Sequence, residues 1–335
     1  MKKVCIIYTG GTIGMTKTDK GYAPKEGYFR KALSEIEDLK REELPSFELF
    51  EMTPLLDSSN MTLHEWNKIS EEIEKRYKDF DGFVILHGTD TMAYTASALS
   101  FTLENLSKPV VLTGSQIPLC EIRSDGRDNL ITSLMIASSG VVNEVCLYFG
   151  GKLMRGNRAT KYSADGLIAF KSPNYPLLAE AGIEIKYNRA EINAYNNGEF
   201  KICKLKPVPI GVIKVFPGIQ FELFESVMTE KLKGIVIETF GAGNIPVKEN
   251  DLLPIIEKAF KSGSVITVCS QCPEGTVSLG TYETSSALKG AGAVSGYDIT
   301  TEAAVCKLYY LFSKGYEAKD VKRLMEENLR GEISV

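Results

Sequence analysis

The sequence is poor in histidine: its 335 residues include only His64 and His87. A histidine-based serine hydrolase is therefore disfavoured, and no Gly-x-Ser-x-Gly motif is present either. His64 falls in a predicted helix cap and His87 ends a predicted buried strand, so we expect one surface and one core histidine. Two distant histidines cannot form a catalytic zinc site, and Cys269-Ser270-Gln271-Cys272 lacks a second cysteine pair. We predict no metal and no cofactor.

Long apolar runs and an excess of basic charge are also missing. No segment approaches the ~18 apolar residues that span a bilayer, and a net charge of −4 gives no electrostatic basis for binding nucleic acid. Two lysines precede an apolar run at 4–8, but this run is too short for a signal peptide and stops at Gly10. The seven scattered cysteines indicate reduced thiols. We expect a cytoplasmic protein with neither a membrane nor a nucleic-acid partner.

Short apolar runs alternate with helical patterns in the first half of the chain. Thr62 and Glu65 fit a capping box at the start of one helix. After it, apolar residues share one helical face: Leu63, Trp66, Ile69, Ile73 and Tyr77. The patterns predict strands at 3–9, 82–87, 109–113 and 144–149, and further helices at 92–106 and 128–138. Such alternation predicts a parallel sheet covered by helices on both sides.

The pattern weakens between 182 and 209, where 193–198 is turn-rich, and then resumes. We predict strands at 211–216, 234–240 and 264–270, and helices at 222–228, 251–261, 285–289, 302–313 and 320–329. A chain of 335 residues exceeds the usual size of a single core. We therefore predict an α/β fold with a larger N-terminal domain (1–188) built on a parallel-rich sheet flanked by helices. A linker (189–209) and a smaller C-terminal α/β domain (210–335) follow.

Polar loops follow three of the predicted strands in the first domain. They are Thr9-Gly10-Gly11-Thr12-Ile13-Gly14, His87-Gly88-Thr89-Asp90-Thr91 and Arg155-Gly156-Asn157-Arg158-Ala159-Thr160-Lys161. Because ligands of open parallel sheets bind beyond the carboxyl ends of the strands, we expect these loops to form one site.

The first of these loops permits two interpretations. Its glycine spacing matches neither dinucleotide-binding nor P-loop motifs, but adjacent glycines allow close approach of the backbone to a ligand, with the Thr12 hydroxyl exposed. The alternative is a tight turn in which Thr12 is a local cap. A threonine nucleophile needs a base, and Lys161 is the candidate, although an isolated loop lysine is usually only solvated.

The first two loops resemble the two signatures of L-asparaginases of the bacterial type. The resemblance extends over nearly the whole chain and includes Asp57-Ser58-Ser59-Asn60-Met61, Leu112-Thr113-Gly114-Ser115-Gln116 and Arg123-Ser124-Asp125-Gly126-Arg127-Asp128-Asn129-Leu130. The Asp57-Ser58-Ser59 form and the absence of a signal peptide point to the cytoplasmic type I branch. The resemblance implies hydrolysis of L-asparagine to L-aspartate and ammonia by double displacement.

The same resemblance implies catalytic roles. Thr12 would attack the side-chain amide carbon and form an acyl ester, with Tyr22 polarising its hydroxyl. Thr89, Asp90 and Lys161 would form a second cluster in which Lys161 accepts a proton. Which of the two clusters activates which step stays open.

Substrate contacts are also implied. Asp90 would hold the substrate ammonium, while Asp57, Ser58 and Ser59 would contact the α-amino and α-carboxylate ends. An amino acid carries one cation and one anion, so acidic groups and hydroxyl or N–H donors suit it. Residues 14–27, which include three glycines and a proline among few apolar residues, suit a lid that closes over substrate.

Members of the family assemble as dimers or tetramers in which a neighbouring subunit completes each site. We expect a homodimer or homotetramer here, with 282–286 as the candidate donor segment. Some cytoplasmic members have an effector pocket near 238–241 and 270–272. Glu238 places a carboxylate where such members carry a cation, which counts against allosteric control by asparagine.

Two other functions fit parts of the same pattern. The glutaminase-like subunit of a tRNA amidotransferase shares this core but carries an additional N-terminal domain, whereas the first signature here begins within ten residues of the start. A non-catalytic amino-acid sensor would need only the polar clamp, and would still bind its ligand as a Thr12→Ala variant. The preference between asparagine and glutamine stays open, because one methylene changes binding by only ~1–3 kcal/mol.

Overall fold

The computed structural model describes residues 2–19, 21–193, 198–246, 252–280 and 283–334. The chain divides into two compact units between Ile202 and Cys203, a point that lies inside the predicted linker. Most of the turn-rich segment predicted at 193–198 and the first residue of the helix predicted at 251–261 lie outside the described residues.

The first unit is built on an eight-stranded sheet with the order β13-β12-β9-β8-β7-β5-β1-β4. Its fourteen described strands are β1 (Lys3–Gly10), β2 (Met15–Thr18), β3 (Gly21–Pro24), β4 (Ser46–Leu56), β5 (Gly82–Leu86), β6 (Leu103–Glu104), β7 (Val110–Thr113), β8 (Val145–Phe149), β9 (Lys152–Arg155), β10 (Thr160–Lys161), β11 (Phe170–Lys171), β12 (Ala179–Ala181), β13 (Ile185–Tyr187) and β14 (Lys201–Ile202). Its described α-helices are α1 (Tyr28–Ser34), α2 (Leu63–Arg76), α3 (Met92–Thr102) and α4 (Gly126–Ser138).

Five neighbouring strands of this sheet, β8, β7, β5, β1 and β4, are mutually parallel. The strands β9, β12 and β13 add antiparallel pairs at the β8 side of the sheet. Successive residues of β1 are buried in opposite faces. Cys5 and Ile7 belong to one apolar core, and Ile6 and Tyr8 to the other. The sheet is therefore covered on both sides, as its apolar strands predict, and the four predicted strands are confirmed.

Helix α2 begins with the predicted capping box, in which Thr62 and Glu65 satisfy each other's backbone N–H groups. Its face with Trp66, Ile69 and Ile73 is buried against the sheet core. Helix α3 ends at Thr102, four residues earlier than predicted, because β6 pairs with β14 instead of continuing the helix.

The second unit contains a four-stranded parallel sheet with the order β15-β16-β17-β18. Its described strands and helices are β15 (Ile210–Lys214), β16 (Gly234–Thr239), β17 (Val265–Ser270), β18 (Val294–Ser295), α5 (Leu252–Lys261), α6 (Glu283–Gly290), α7 (Thr301–Ser313) and α8 (Ala318–Met325). The segment predicted as a helix at 222–228 is helical throughout, but it begins as a 3-10 turn (Phe221–Phe224) and ends as a π-helical turn (Val227–Lys231). The α/β class predicted for both parts of the chain is confirmed.

Candidate active site

The loop after β1 is shaped by two glycines with positive φ. Gly10 has φ 122° and Gly11 has φ 86°, conformations that side-chain-bearing residues rarely adopt. The Gly11 N–H donates to the Leu56 carbonyl at 3.2 Å, and a Cβ on Gly11 would lie 2.3 Å from the Gly88 nitrogen. The backbone that precedes Thr12 therefore packs directly on the loop that carries Thr89.

A third segment, Asp57 to Asn60, joins these two loops. The Thr91 hydroxyl donates to the Ser58 carbonyl at 2.7 Å, and a Cβ on Gly88 would lie 2.5 Å from Ser58 Oγ. The three loops follow β1, β4 and β5, which are neighbours in the sheet. Their carboxyl ends therefore meet at one edge, which the sequence predicts for the loops after β1 and β5 but not for the one after β4. The third predicted loop, 155–161, does not follow β8 directly, because the antiparallel strand β9 lies between them.

The residues expected to form the second cluster lie together. The Lys161 ammonium on β10 donates to Thr89 Oγ1 at 3.0 Å and to Asp90 Oδ1 at 2.6 Å. Thr89 is buried, but 63% of the Asp90 side chain remains exposed. The cluster thus joins a sheltered hydroxyl, an amine and a carboxylate that a ligand can reach.

Asp57 and Ser59 share a turn beside this cluster. Asp57 Oδ1 accepts from both the Ser59 N–H and the Ser59 hydroxyl at 3.0 Å, capping the 3-10 turn Ser58–Asn60. Asp57 and Ser59 are exposed and Ser58 is buried. The segment therefore presents one carboxylate and one hydroxyl to solvent at the edge of the site.

Thr12 and Tyr22 are placed differently from the lysine cluster. Thr12 begins a 3-10 turn (Thr12–Gly14), is partly buried, and its hydroxyl makes no hydrogen bond to any residue in the described part of the chain. Tyr22 lies on the β2–β3 hairpin, and its hydroxyl donates to Glu121 Oε1 at 2.6 Å rather than to Thr12. This hydrogen bond raises the pKa of Tyr22.

His87 is a core residue, as predicted. Its Nδ1 lies 2.7 Å from the Gly88 carbonyl, which can only accept, so Nδ1 carries the proton. Its Nε2 accepts from Thr95 Oγ1 at 2.9 Å, and that oxygen in turn accepts from Trp66 Nε1. Burial lowers the pKa of His87 to about 4, so its ring is neutral and both nitrogens are occupied. His64 is exposed, also as predicted.

Two residues of the site carried no predicted role. Gln116 follows β7 and accepts a hydrogen bond from Thr89, and Glu121 accepts the one from Tyr22. Gln116 obeys the same rule as the predicted residues, since β7 lies next to β5 in the sheet. The polar side chain after the end of β7 is the signal in the sequence that points to it.

Neither a cation site nor a membrane-spanning helix is found in the part of the chain that the structure describes. Within the described ranges, no three side chains among His, Cys, Asp and Glu are grouped closely enough to hold a metal ion. Among those same residues, no helix has the length and apolar character needed to cross a membrane.

A parallel sheet with polar loops at its carboxyl edge is the arrangement of many α/β enzymes, whose ligands bind at the ends of the strands. A family model described as "Asparaginase, N-terminal" matches residues 3–193, and one described as "Glutaminase/Asparaginase C-terminal domain" matches 209–325. The chain belongs to the asparaginase family.

Individual relatives are similar over all or most of their length. L-asparaginase 1 of Escherichia coli (strain K12) is 45% identical over 333 residues, which cover 99% of this chain and 98% of that protein. The crystal structure of L-asparaginase I from Vibrio cholerae matches with a TM-score of 0.93 at 46% identity, covering 100% and 99% of the two chains. The thermostable L-asparaginase from Thermococcus kodakarensis matches with a TM-score of 0.90 at 33% identity, covering 99% of each chain.

Proposed function

We propose that this protein hydrolyses L-asparagine to L-aspartate and ammonia. The observation that carries the proposal is the Thr89–Lys161–Asp90 cluster, packed through Gly88 against the glycine loop that presents Thr12. The full-length similarity to asparaginases supports the same reaction.

The proposed mechanism is a double displacement with Thr12 as nucleophile. The Thr12 oxygen bonds to the side-chain amide carbon, the C–N bond breaks, and the nitrogen leaves as ammonia with the proton lost by the hydroxyl. Water then attacks the ester, releasing aspartate and returning a proton to Thr12. Both steps need a group that moves protons, because a threonine hydroxyl is unreactive at neutral pH. Lys161, relayed by Thr89, is suited to this role, and Tyr22 would serve Thr12 once its hairpin leaves Glu121.

Charge complementarity supports the proposed substrate contacts. Asp90 is exposed beside Lys161 and would bind the α-ammonium group. Asp57 would add a second carboxylate near that cation, while the Ser59 hydroxyl and the backbone of Ser58 would contact the α-carboxylate. Such charge-assisted hydrogen bonds are about twice as strong as neutral ones, so a zwitterionic substrate would be held at both ends.

Ammonia release from asparagine and from glutamine tests the function directly. We expect activity from the wild-type protein and a loss of at least ~10²-fold for Thr12→Ala and Lys161→Met, because nucleophile and proton carrier act as a unit. Lys171→Met is the matched control, since Lys171 lies on β11 of the same hairpin and its ammonium stacks on Tyr162. Retained turnover in Thr12→Ala would refute the nucleophile.

We further propose that the protein is cytoplasmic and forms a homodimer or homotetramer. All seven cysteines are free thiols, which suits a reducing compartment.

Tyr162, Leu167 and Ile168 expose apolar side chains on the hairpin beyond Lys161, a surface suited to a second subunit. The donor segment expected at 282–286 begins outside the described residues. Sedimentation equilibrium would measure the assembly, and a monomer at micromolar concentration would contradict it.

A further inference from the structure

Gln116 contacts Thr89 through an amide whose orientation is fixed. Its Nε2 lies 3.1 Å from the Ala164 carbonyl and 3.2 Å from the Gly166 carbonyl, and both of these can only accept. The NH₂ group therefore faces the two carbonyls, and Oε1 faces Thr89 at 3.0 Å. Since Oε1 has no proton, the Thr89 hydroxyl must be the donor.

This geometry determines where the protons of the cluster are. A threonine hydroxyl has one proton, and that of Thr89 is directed to Gln116. The Thr89 oxygen accepts from Lys161 on its other side, and the same amine donates to Asp90. Lys161 is therefore a hydrogen-bond donor to Thr89 in this state, and can take the Thr89 proton only if the hydroxyl turns away from Gln116.

The backbone of Gln116 is held as firmly as its side chain. The N–H groups of Gln116 and Ile117 both donate to the Asp125 carboxylate, at 3.0 to 3.1 Å. Asn129 Nδ2 donates to the same carboxylate at 3.2 Å and to the Gly114 carbonyl at 3.0 Å. Asp125 thereby fixes the turn after β7, so the Gln116 side chain extends from a fixed backbone.

The two carbonyls bound by Gln116 belong to the turn that follows Lys161. Ser163 Oγ accepts from the Gly166 N–H at 2.9 Å, which folds this turn compactly between β10 and β11. Gln116 therefore connects Thr89 to the hairpin that carries Lys161, and so sets the separation between hydroxyl and amine.

We propose that Gln116 is a positioning residue for the reaction: it turns the Thr89 oxygen towards the Lys161 amine and holds the Lys161 hairpin at hydrogen-bonding distance from that oxygen. The proposal rests on the proposed function, because its consequence is seen in turnover. It acts through Thr89, so it predicts a change in kcat and in the pH dependence of kcat, with little change in KM.

Two substitutions separate the parts of this role. Gln116→Met has a similar length but removes the acceptor and both donors. Gln116→Glu keeps an acceptor for Thr89, loses the donors to Ala164 and Gly166, and adds a negative charge that favours the protonated form of Lys161. Ser124→Ala is the matched control, because Ser124 Oγ hydrogen-bonds within the same loop, to the Ile117 carbonyl and the Gly126 N–H, and not to Thr89.

The experiment measures ammonia release from asparagine against pH, with thermal unfolding as the check on folding. We expect Gln116→Met to lower kcat at least ~10-fold with KM within about threefold. Gln116→Glu should retain more kcat, with the acid limb of its profile moved to higher pH, and Ser124→Ala should match the wild type. A folded Gln116→Met variant with wild-type kcat and pH profile would overturn this inference but leave the proposed function intact. Equal losses in both Gln116 variants with unshifted profiles would also overturn it, whereas an inactive wild type would remove the proposed function and the inference together.

Discussion

The Tyr22 hydroxyl donates to the Glu121 carboxylate at 2.6 Å, which ties the β2–β3 hairpin to the turn after β7. The Cys120 thiol adds a weak contact to the Met15 carbonyl at 3.7 Å. Both contacts join the hairpin to this turn, and 46% of Tyr22 is exposed. If residues 14–27 form the lid that the sequence predicts, this hydrogen bond would have to open before the Tyr22 hydroxyl could serve Thr12.

Removing the Tyr22 hydroxyl should reduce turnover if this residue serves Thr12. We expect Tyr22→Phe to lower kcat on asparagine at least ~10-fold, because the lost group moves or shares a proton. Tyr162→Phe is the matched control, since Tyr162 is another exposed tyrosine of the same unit. Full activity of Tyr22→Phe in steady-state ammonia assays would exclude Tyr22 from the chemistry.

Releasing Tyr22 from Glu121 should raise turnover or leave it unchanged. In Glu121→Ala the carboxylate that raises the pKa of Tyr22 is gone, so the phenol should ionise at lower pH than in the wild type. Ultraviolet difference titration would measure that ionisation. We expect kcat to stay within about threefold of wild type or to rise, because the hairpin is freer to close. A loss as large as that of Tyr22→Phe would show that Glu121 itself takes part.

The contact between Gly11 and Gly88 should be intolerant of a single methyl group. Gly11→Ala combines a positive φ with a Cβ placed 2.3 Å from the Gly88 nitrogen, so the two loops must separate. We expect a loss of kcat/KM of at least ~10-fold, because a shift of about 1 Å misplaces reacting groups. Gly140→Ala measures the backbone strain alone, since Gly140 also has positive φ but nothing lies within 4 Å of its Cβ position. Equal activity in the two variants would contradict the prediction.

The parallel core of the first unit was predictable because β1, β5, β7 and β8 are continuous apolar runs bounded by loops. Strand β4 was not predicted. Glu48 and Glu51 interrupt its apolar pattern, and Pro54 has no N–H to donate. It forms at the edge, where β1 supplies the pairing and proline is tolerated.

The candidate site was predictable to the same extent and for a related reason. Thr12, Thr89 and Asp90 lie in loops after β1 and β5, which are neighbours in the sheet. Lys161 lies on β10, after the antiparallel strand β9 that the sequence did not predict, so the rule of strand ends does not place it. The partners Gln116 and Glu121 depend on side-chain directions across long sequence separations: 27 residues between Thr89 and Gln116, and 99 between Tyr22 and Glu121. Periodicity contains no information about such directions.

His87 should make stability depend on pH between about 4 and 6.5. Its pKa is about 4 in the folded protein and near 6.5 when unfolded, so the unfolded chain binds the extra proton in that window. The stabilising contribution is complete above pH 6.5 and is lost as the pH falls towards 4, by roughly 3 kcal/mol. Urea unfolding at several pH values should show a shallower dependence in His87→Gln than in the wild type. The exposed His64 provides the control: His64→Gln should keep the wild-type slope, and an unchanged slope in His87→Gln would refute the assignment.

The second unit contains a fully buried ion pair whose disruption should be costly. Lys307 on α7 lies 2.6 Å from Glu332, and both side chains have no exposed surface. Lys307 also donates to the Met325 and Glu327 carbonyls, while Glu332 accepts the N–H groups of Leu329 and Arg330. The pair thereby fixes the chain that follows α8 against α7.

Lys307→Met leaves Glu332 as a buried carboxylate without its cation, so we expect a loss of about 3–5 kcal/mol in the free energy of unfolding. Burial lowers the pKa of Lys307, so the folded protein already bears a desolvation penalty that the lysine partners offset. The double variant Lys307→Met/Glu332→Leu should therefore be more stable than Lys307→Met alone, since no unpaired charge remains. Lys319→Met, at an exposed position of α8, should unfold in urea like the wild type. A double variant as unstable as the single one would show that the hydrogen bonds to the C-terminal backbone, rather than the charge pairing, hold this part of the chain.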